Sequence, residues 1–254
     1  YSAMRAADAS RPVFLTLTGH FHPHFNKWTD QQRATLYPAY IAASDVVGYD
    51  IYPIYGWNKP EWIHLVRDAT DLLVEKAGRR PVYAWIETSK GGQWTGPLER
   101  QKDVTPQHIR AEVWMAVTSG ATAIGYFTHI WNPAYHQFGV PEENRKAIRE
   151  INDQITRLAP TILSEKPDRS VGVEPEGDVK VNALARQDGS GLYLFAVNYD
   201  ERLLGTKARF TVEGLPEGTK VEVIDEGRTI RADAGSFGDS FDPLAVHIYR
   251  IDTE

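Results

Sequence analysis

At 254 residues, 42% apolar and 24% charged, the chain is long enough for one large or two modest domains and is neither disordered nor collagen-like in composition. Its net charge of −6, from 34 acidic and 28 basic residues without a Lys/Arg block, excludes a general nucleic-acid binder. No apolar run reaches the roughly 18 residues of a membrane span. The lack of cysteine excludes disulfides, thiolate catalysis and Cys-ligated zinc, and leaves the compartment open.

The chain starts at Tyr1, not Met, and residues 1–7 read as the end of a helix. Neither a charged n-region nor an apolar h-region is visible. The expectation is a piece of a longer chain, or a product cut before Tyr1, with a secreted or periplasmic setting left unsettled.

Strand and helix then alternate. Residues 12–18 (PVFLTLT) form a β-rich run, followed by a polar, aromatic loop. Asp30 is the expected N-cap of a helix to about Ala43. Residues 46–52 (VVGYDIY) are the next strand. Pro60 opens a helix ending near Ala77, with Gly78 as its stop. Residues 81–86 (PVYAWI) form a third strand and residues 87–104 a long loop. Thr105-Pro106 opens a helix to Gly120, residues 121–127 (ATAIGYF) form a fourth strand, and Pro141 opens a helix to about Ser164. Short apolar runs between helices predict buried parallel strands, in a (β/α)-barrel or an open doubly wound sheet. From Val171 the period falls to two, and Asp188-Gly189-Ser190-Gly191 is a hairpin signal. A β-sandwich of seven or eight strands is expected over 167–254, after an α/β domain over 1–166.

Ligands of parallel α/β sheets bind at the carboxyl ends of the strands. Each of the four loops there carries one tryptophan: Trp28, Trp57, Trp94 and Trp131. Indoles in polar loops suit stacking on a sugar ring, or packing over the sheet end. Trp62, Trp85 and Trp114 fall within elements and are expected in the core. Glu87 directly follows PVYAWI, so its carboxylate stands at the mouth of the sheet; the alternative is an ion pair with Arg79, Arg80 or Lys90. Asp50 and Tyr52 end the second strand and are candidates for binding hydroxyl groups. His20, His22 and His24 follow the first strand and His129 the fourth. A metal site there is disfavoured, because Pro23 breaks the alternation and no carboxylate stands at a ligand spacing. No cofactor motif and no serine nucleophile elbow is present.

GYDIYPI, YAWIETSKGGQW and HIRAEVWMAVTSGATAIGYFTHIW together resemble the second half of a clan A glycoside hydrolase barrel, over about residues 12–164. The resemblance implies a (β/α)8 fold, a retaining mechanism, and Glu87 as nucleophile if the four strands are the fifth to eighth. It also implies a sugar floor at Phe127 or Trp131, and an oligo- or polysaccharide ligand contacted by His20, His22, Trp28, Asp50, Tyr52, Trp57, Trp94, His129 and Trp131. LYLFAVNYD and LAVHIYRI are similar to the C-terminal sandwiches of such hydrolases. The acid/base glutamate of the clan ends the fourth strand after an asparagine, and no such Asn-Glu occurs here, so it falls outside this chain. A half-barrel standing alone leaves two strand edges open, and self-association is then expected. Two other readings stay open: a non-catalytic carbohydrate-binding half-barrel, and a metal-dependent hydrolase using the histidines.

Overall fold

The computed structural model describes residues 1–25 and 27–252. The chain forms two compact units, one of residues 1–105 and 119–141, the other of residues 106–118 and 142–254.

The first unit is built on four parallel strands, β1 (Phe14–Thr18), β2 (Val46–Asp50), β3 (Val82–Glu87) and β4 (Ala123–Phe127), side by side in sequence order. Leu17 pairs with Tyr49, Tyr49 with Ala84, and Ala84 with Ile124. Three helices belong to the same unit: α1 (Ser2–Ala7), α2 (Asp30–Ala42) and α3 (His64–Ala77). Alternation divides the sheet into two faces. Val47, Tyr49, Val82, Ala84 and Ile86 are buried on one of them. There the Tyr49 hydroxyl donates to the Val66 carbonyl of α3 at 3.1 Å and lies 2.5 Å from Thr70 Oγ1. The opposite face carries Phe14, Thr16, Asp50, Tyr83, Trp85 and Glu87. Phe14 is 43% exposed. Among the described residues no further strand pairs with the outer edges of β1 and β4.

Two helix starts differ from the sequence expectation. The cap of α2 is Thr29, not Asp30: Thr29 Oγ1 accepts from the Gln32 amide at 3.2 Å and Gln32 Oε1 accepts from the Thr29 amide at 2.9 Å. This reciprocal box satisfies two otherwise orphaned donors, which leaves Asp30 as a first-turn acid. Pro60 opens a single 3-10 turn, Pro60–Trp62, and α3 begins at His64. Gly78 ends α3 at φ +62°, a conformation that favours glycine.

The second unit contains α4 (Pro106–Thr118), α5 (Glu142–Ile162) and eight antiparallel strands. These are β5 (Val171–Pro175), β6 (Val181–Asp188), β7 (Gly191–Asn198), β8 (Thr206–Val212), β9 (Lys220–Val223), β10 (Arg228–Arg231), β11 (Ser236–Phe241) and β12 (Val246–Ile251). They form a five-stranded sheet, β10-β9-β12-β7-β6, and a three-stranded sheet, β11-β8-β5. The shared core includes Leu192, Leu194, Phe210, Val221, Phe237, Phe241 and Tyr249. Every residue of β7 is buried. Leu192 and Leu194 face the core, whereas Phe195 stacks on Trp114 of α4 at 5.6 Å and 14°. Covering on both faces is why β7 reads as a continuous apolar run. The expected hairpin joins β6 to β7, with Gly191 at φ +142°.

Candidate functional site

The carboxyl ends of β2, β3 and β4 come together around a hollow of about 250 Å³. Thr16, Asp50, Tyr52, Trp85, Tyr126, Phe127 and His129 line it. Tyr52 and Phe127 lie 4.8 Å apart, and Phe127 stacks on His129 at 5.3 Å and 28°. The Trp85 indole donates to Thr16 Oγ1 at 3.3 Å. Tyr135 sets the His129 ring, with its hydroxyl 3.1 Å from Nδ1.

Among the described residues Asp50 is the one acidic residue lining this hollow. Burial pushes its carboxyl up to about 6, because ionisation there gives up solvation that no counter-charge replaces. Burial likewise raises the Tyr126 hydroxyl to about 12, which keeps it a neutral donor.

Glu87 shares the inner face of β3 with Trp85, as alternation requires, but its carboxylate is fully buried. Oε1 accepts from the Ile54 amide at 2.9 Å; Oε2 accepts from the Ile54 amide at 3.1 Å and from the Tyr55 amide at 2.5 Å. The tight coil after β2 presents those successive donors: the Gly56 amide bonds to Tyr52 O and the Asn58 amide to Ile54 O. Two of the cations expected as alternatives have partners elsewhere. Lys90 bonds to Asp103 at 2.7 Å, and Arg80 donates to Ser44 O. The loop after β3 is packed close enough to need glycine. A Cβ at Gly92 would lie 2.2 Å from the Tyr55 carbonyl oxygen. Gln101 Oε1 accepts from the Gly91 and Gly92 amides at 2.8 and 3.1 Å.

The other expected residues lie elsewhere. Trp57 stacks on Phe25 at 4.8 Å and 28°. His20, His22 and His24 all make edge contacts with Phe25, and His24 also meets Trp62 at 4.5 Å. These residues pack against one another in a separate aromatic cluster. Burial lowers all three histidines from the usual imidazole range. Among the described residues no group of three or more His, Asp or Glu is placed to hold a metal ion. Trp28 carries the Lys27 ammonium 5.7 Å from its ring centre. Trp94 is 85% exposed, and Trp131 packs beside Tyr135 at 4.9 Å. The hollow therefore gathers Asp50, Tyr52 and His129 from the expected set.

Trp114 is in the core, as expected, whereas Trp85 is a correction: it lines the hollow. Its parity with Glu87 places it on the open face, and period-two counting from Glu87 was the signal for it. Thr16 and Tyr126 were also missed, because a threonine or tyrosine in a strand has no distinguishing mark. Tyr135 and Gln101 act through loop contacts that no local pattern reports.

No family model matches the chain, and no curated protein matches it. Solved structures do resemble it. An alpha-amylase from Geobacillus thermoleovorans, complexed with acarbose, aligns with TM-score 0.54 and 14% identity, over 85% of this chain and 51% of that one. An Anoxybacillus alpha-amylase aligns with TM-score 0.56 and 11% identity, over 100% and 55%. A maltogenic alpha-amylase from Thermotoga neapolitana aligns with TM-score 0.56 and 9% identity, over 99% and 58%. The chain spans about half the length of these structures. At such identities the likeness is one of fold: a partial barrel followed by a β-domain, as found in glycoside hydrolases.

Proposed function

We propose that this chain is a glycoside hydrolase or the carboxyl-terminal part of one, acting on an oligo- or polysaccharide. One observation carries the reading: the strand ends form a hollow lined by Tyr52, Trp85 and Phe127 with a carboxyl, Asp50, among them. Aromatic side chains pack against the apolar face of a pyranose, while Asp50, Tyr52 and His129 take its hydroxyls.

In this reading Glu87 is the nucleophile. It attacks the anomeric carbon and the leaving group departs with a proton from an acid/base residue that the resemblance puts outside this chain. Water then releases the sugar from the glycosyl ester. The amides of Ile54 and Tyr55 hold the Glu87 carboxylate away from solvent. Attack therefore requires the coil at residues 53–56 to withdraw, which makes coil opening part of the catalytic cycle.

The same capture of Glu87 favours a second reading, sugar binding without cleavage, in which the carboxylate is a structural anchor. Cleavage of a 2,4-dinitrophenyl glycoside, whose leaving group departs without an acid, with azide supplied to release the glycosyl ester, separates the two when assayed beside polysaccharide binding on the purified chain, because it does not need the acid/base residue. Cleavage that Glu87→Gln abolishes while binding persists supports the hydrolase. Binding with no cleavage supports the second reading, and turnover unchanged in Glu87→Gln rejects the nucleophile.

A further inference from the structure

A sugar site for neutral hydroxyls does not account for the charge of Asp50. The other strongly buried acids of known partnership are neutralised locally. Asp200 pairs with Arg202 at 2.7 Å, and Asp239 with Arg228 at 2.7 Å and the Tyr249 hydroxyl at 2.9 Å. Glu87 ends on amides. Among the described residues no cation lies within 4.0 Å of the Asp50 carboxyl, and neither Lys nor Arg lines the hollow. What surrounds Asp50 instead is a set of aromatic rings.

We propose that the hollow takes a cationic sugar, a hexosamine unit with a free amine, whose ammonium sits between the Asp50 carboxylate and the rings of Tyr52, Trp85 and Phe127. This rests on the reading of the hollow as a sugar site and names its substrate class. An ammonium supplies the counter-charge that the desolvated carboxylate lacks. Aromatic faces attract a cation through their quadrupole, the more so where it is desolvated. A neutral sugar leaves the carboxylate uncompensated, and an acidic sugar is repelled. N-acetylation removes the positive charge and enlarges the group.

The titratable groups facing the hollow are Asp50 and Tyr52 from the β2 end, and Tyr126 and His129 from the β4 end; β1 and β3 contribute Thr16 and Trp85, which do not titrate. Asp50 with its carboxyl near 6 sets the lower limit of ammonium binding. Burial raises the Tyr126 hydroxyl to about 12, so it carries no charge beside the ligand.

The test is titration calorimetry of the 254-residue chain with four probes: the glucosamine dimer, the N,N′-diacetylated dimer, cellobiose and tetramethylammonium. The expected result at pH 7 is binding of the glucosamine dimer at least about tenfold tighter than either neutral dimer. That preference should vanish in Asp50→Asn, and in the unaltered chain at pH 4.5, an arm that does not depend on a variant folding. Neutral dimers binding as tightly as the glucosamine dimer overturn the amino-sugar assignment and leave the sugar reading intact. Tetramethylammonium binding as tightly as the glucosamine dimer shows an ammonium cage without sugar recognition, which also overturns it. Binding of no probe overturns the sugar reading and this inference together.

Discussion

The Tyr55 backbone amide stands 2.5 Å from Oε2 of Glu87, so the carboxylate at the end of β3 is tied to the coil that follows β2. A charge-assisted bond to a buried carboxylate is among the stronger hydrogen bonds a fold makes. Glu87→Gln replaces one acceptor oxygen with a donor facing an amide. The expected cost is about 1.5–3 kcal/mol of stability, read as a lower urea midpoint at unchanged slope. An unchanged midpoint contradicts the anchoring role, whatever the variant does to catalysis.

Asp50 makes a second prediction, on pH. Its folded-state value, about 6, lies above the ordinary aspartate value of 3.8. The stability tied to the neutral form is complete below about pH 4 and is lost as pH rises through 6. Asp50→Asn carries no such loss. The unfolding free energy of the variant, from urea titration, should therefore match that of the parent near pH 4 and exceed it at pH 7.5, by about 1–3 kcal/mol. A difference that is the same at both pH values would count against the shift.

The aromatic cluster around Phe25 and the hollow are separate features, so their tryptophans should respond differently. Trp57→Ala removes a ring stacked on Phe25 at 4.8 Å, and the expected effect is a loss of about 1–3 kcal/mol of stability with sugar affinity preserved. Trp85→Ala empties part of the hollow, and there sugar affinity should fall by tenfold or more while stability changes less. Equal loss of affinity in both would place the ligand across the two sites.

Open edges on β1 and β4 lead to a prediction about assembly. If this chain stands alone, static light scattering at micromolar concentration should give a mass above that of one chain, since parallel edges with an exposed Phe14 beside them invite pairing. A clean monomer across the concentration range would show the edges to be protected in solution.

Much of the fold was legible because its signals are local. Four apolar runs bounded by Gly, Pro and Asp gave the parallel strands, and the switch to period two at Val171 gave the antiparallel strands. The Thr29 cap was passed over because Thr29 and Asp30 are both good caps, and only Gln32 three residues after Thr29 decides between them. At the site, Asp50, Tyr52 and His129 were readable as strand-end residues. The capture of Glu87 was not, because it depends on where residues 54 and 55 return in space. Nor was the fate of Trp57, His20, His22 and His24: aromatic rings in a polar loop hide their area against a ligand or against one another, and their spacing is the same in both cases.

A sugar occupying the hollow lies beside Trp85, and indole nitrogen–proton resonances report on that directly. The chain has seven tryptophans, each giving one signal assignable by Trp→Phe substitution. On addition of an oligosaccharide the Trp85 signal should shift and saturate, while those of Trp57, in the Phe25 cluster, and Trp114, in the second unit, stay in place. A Trp85 signal that does not move at saturating sugar, with or without shifts at other indoles, would contradict the account.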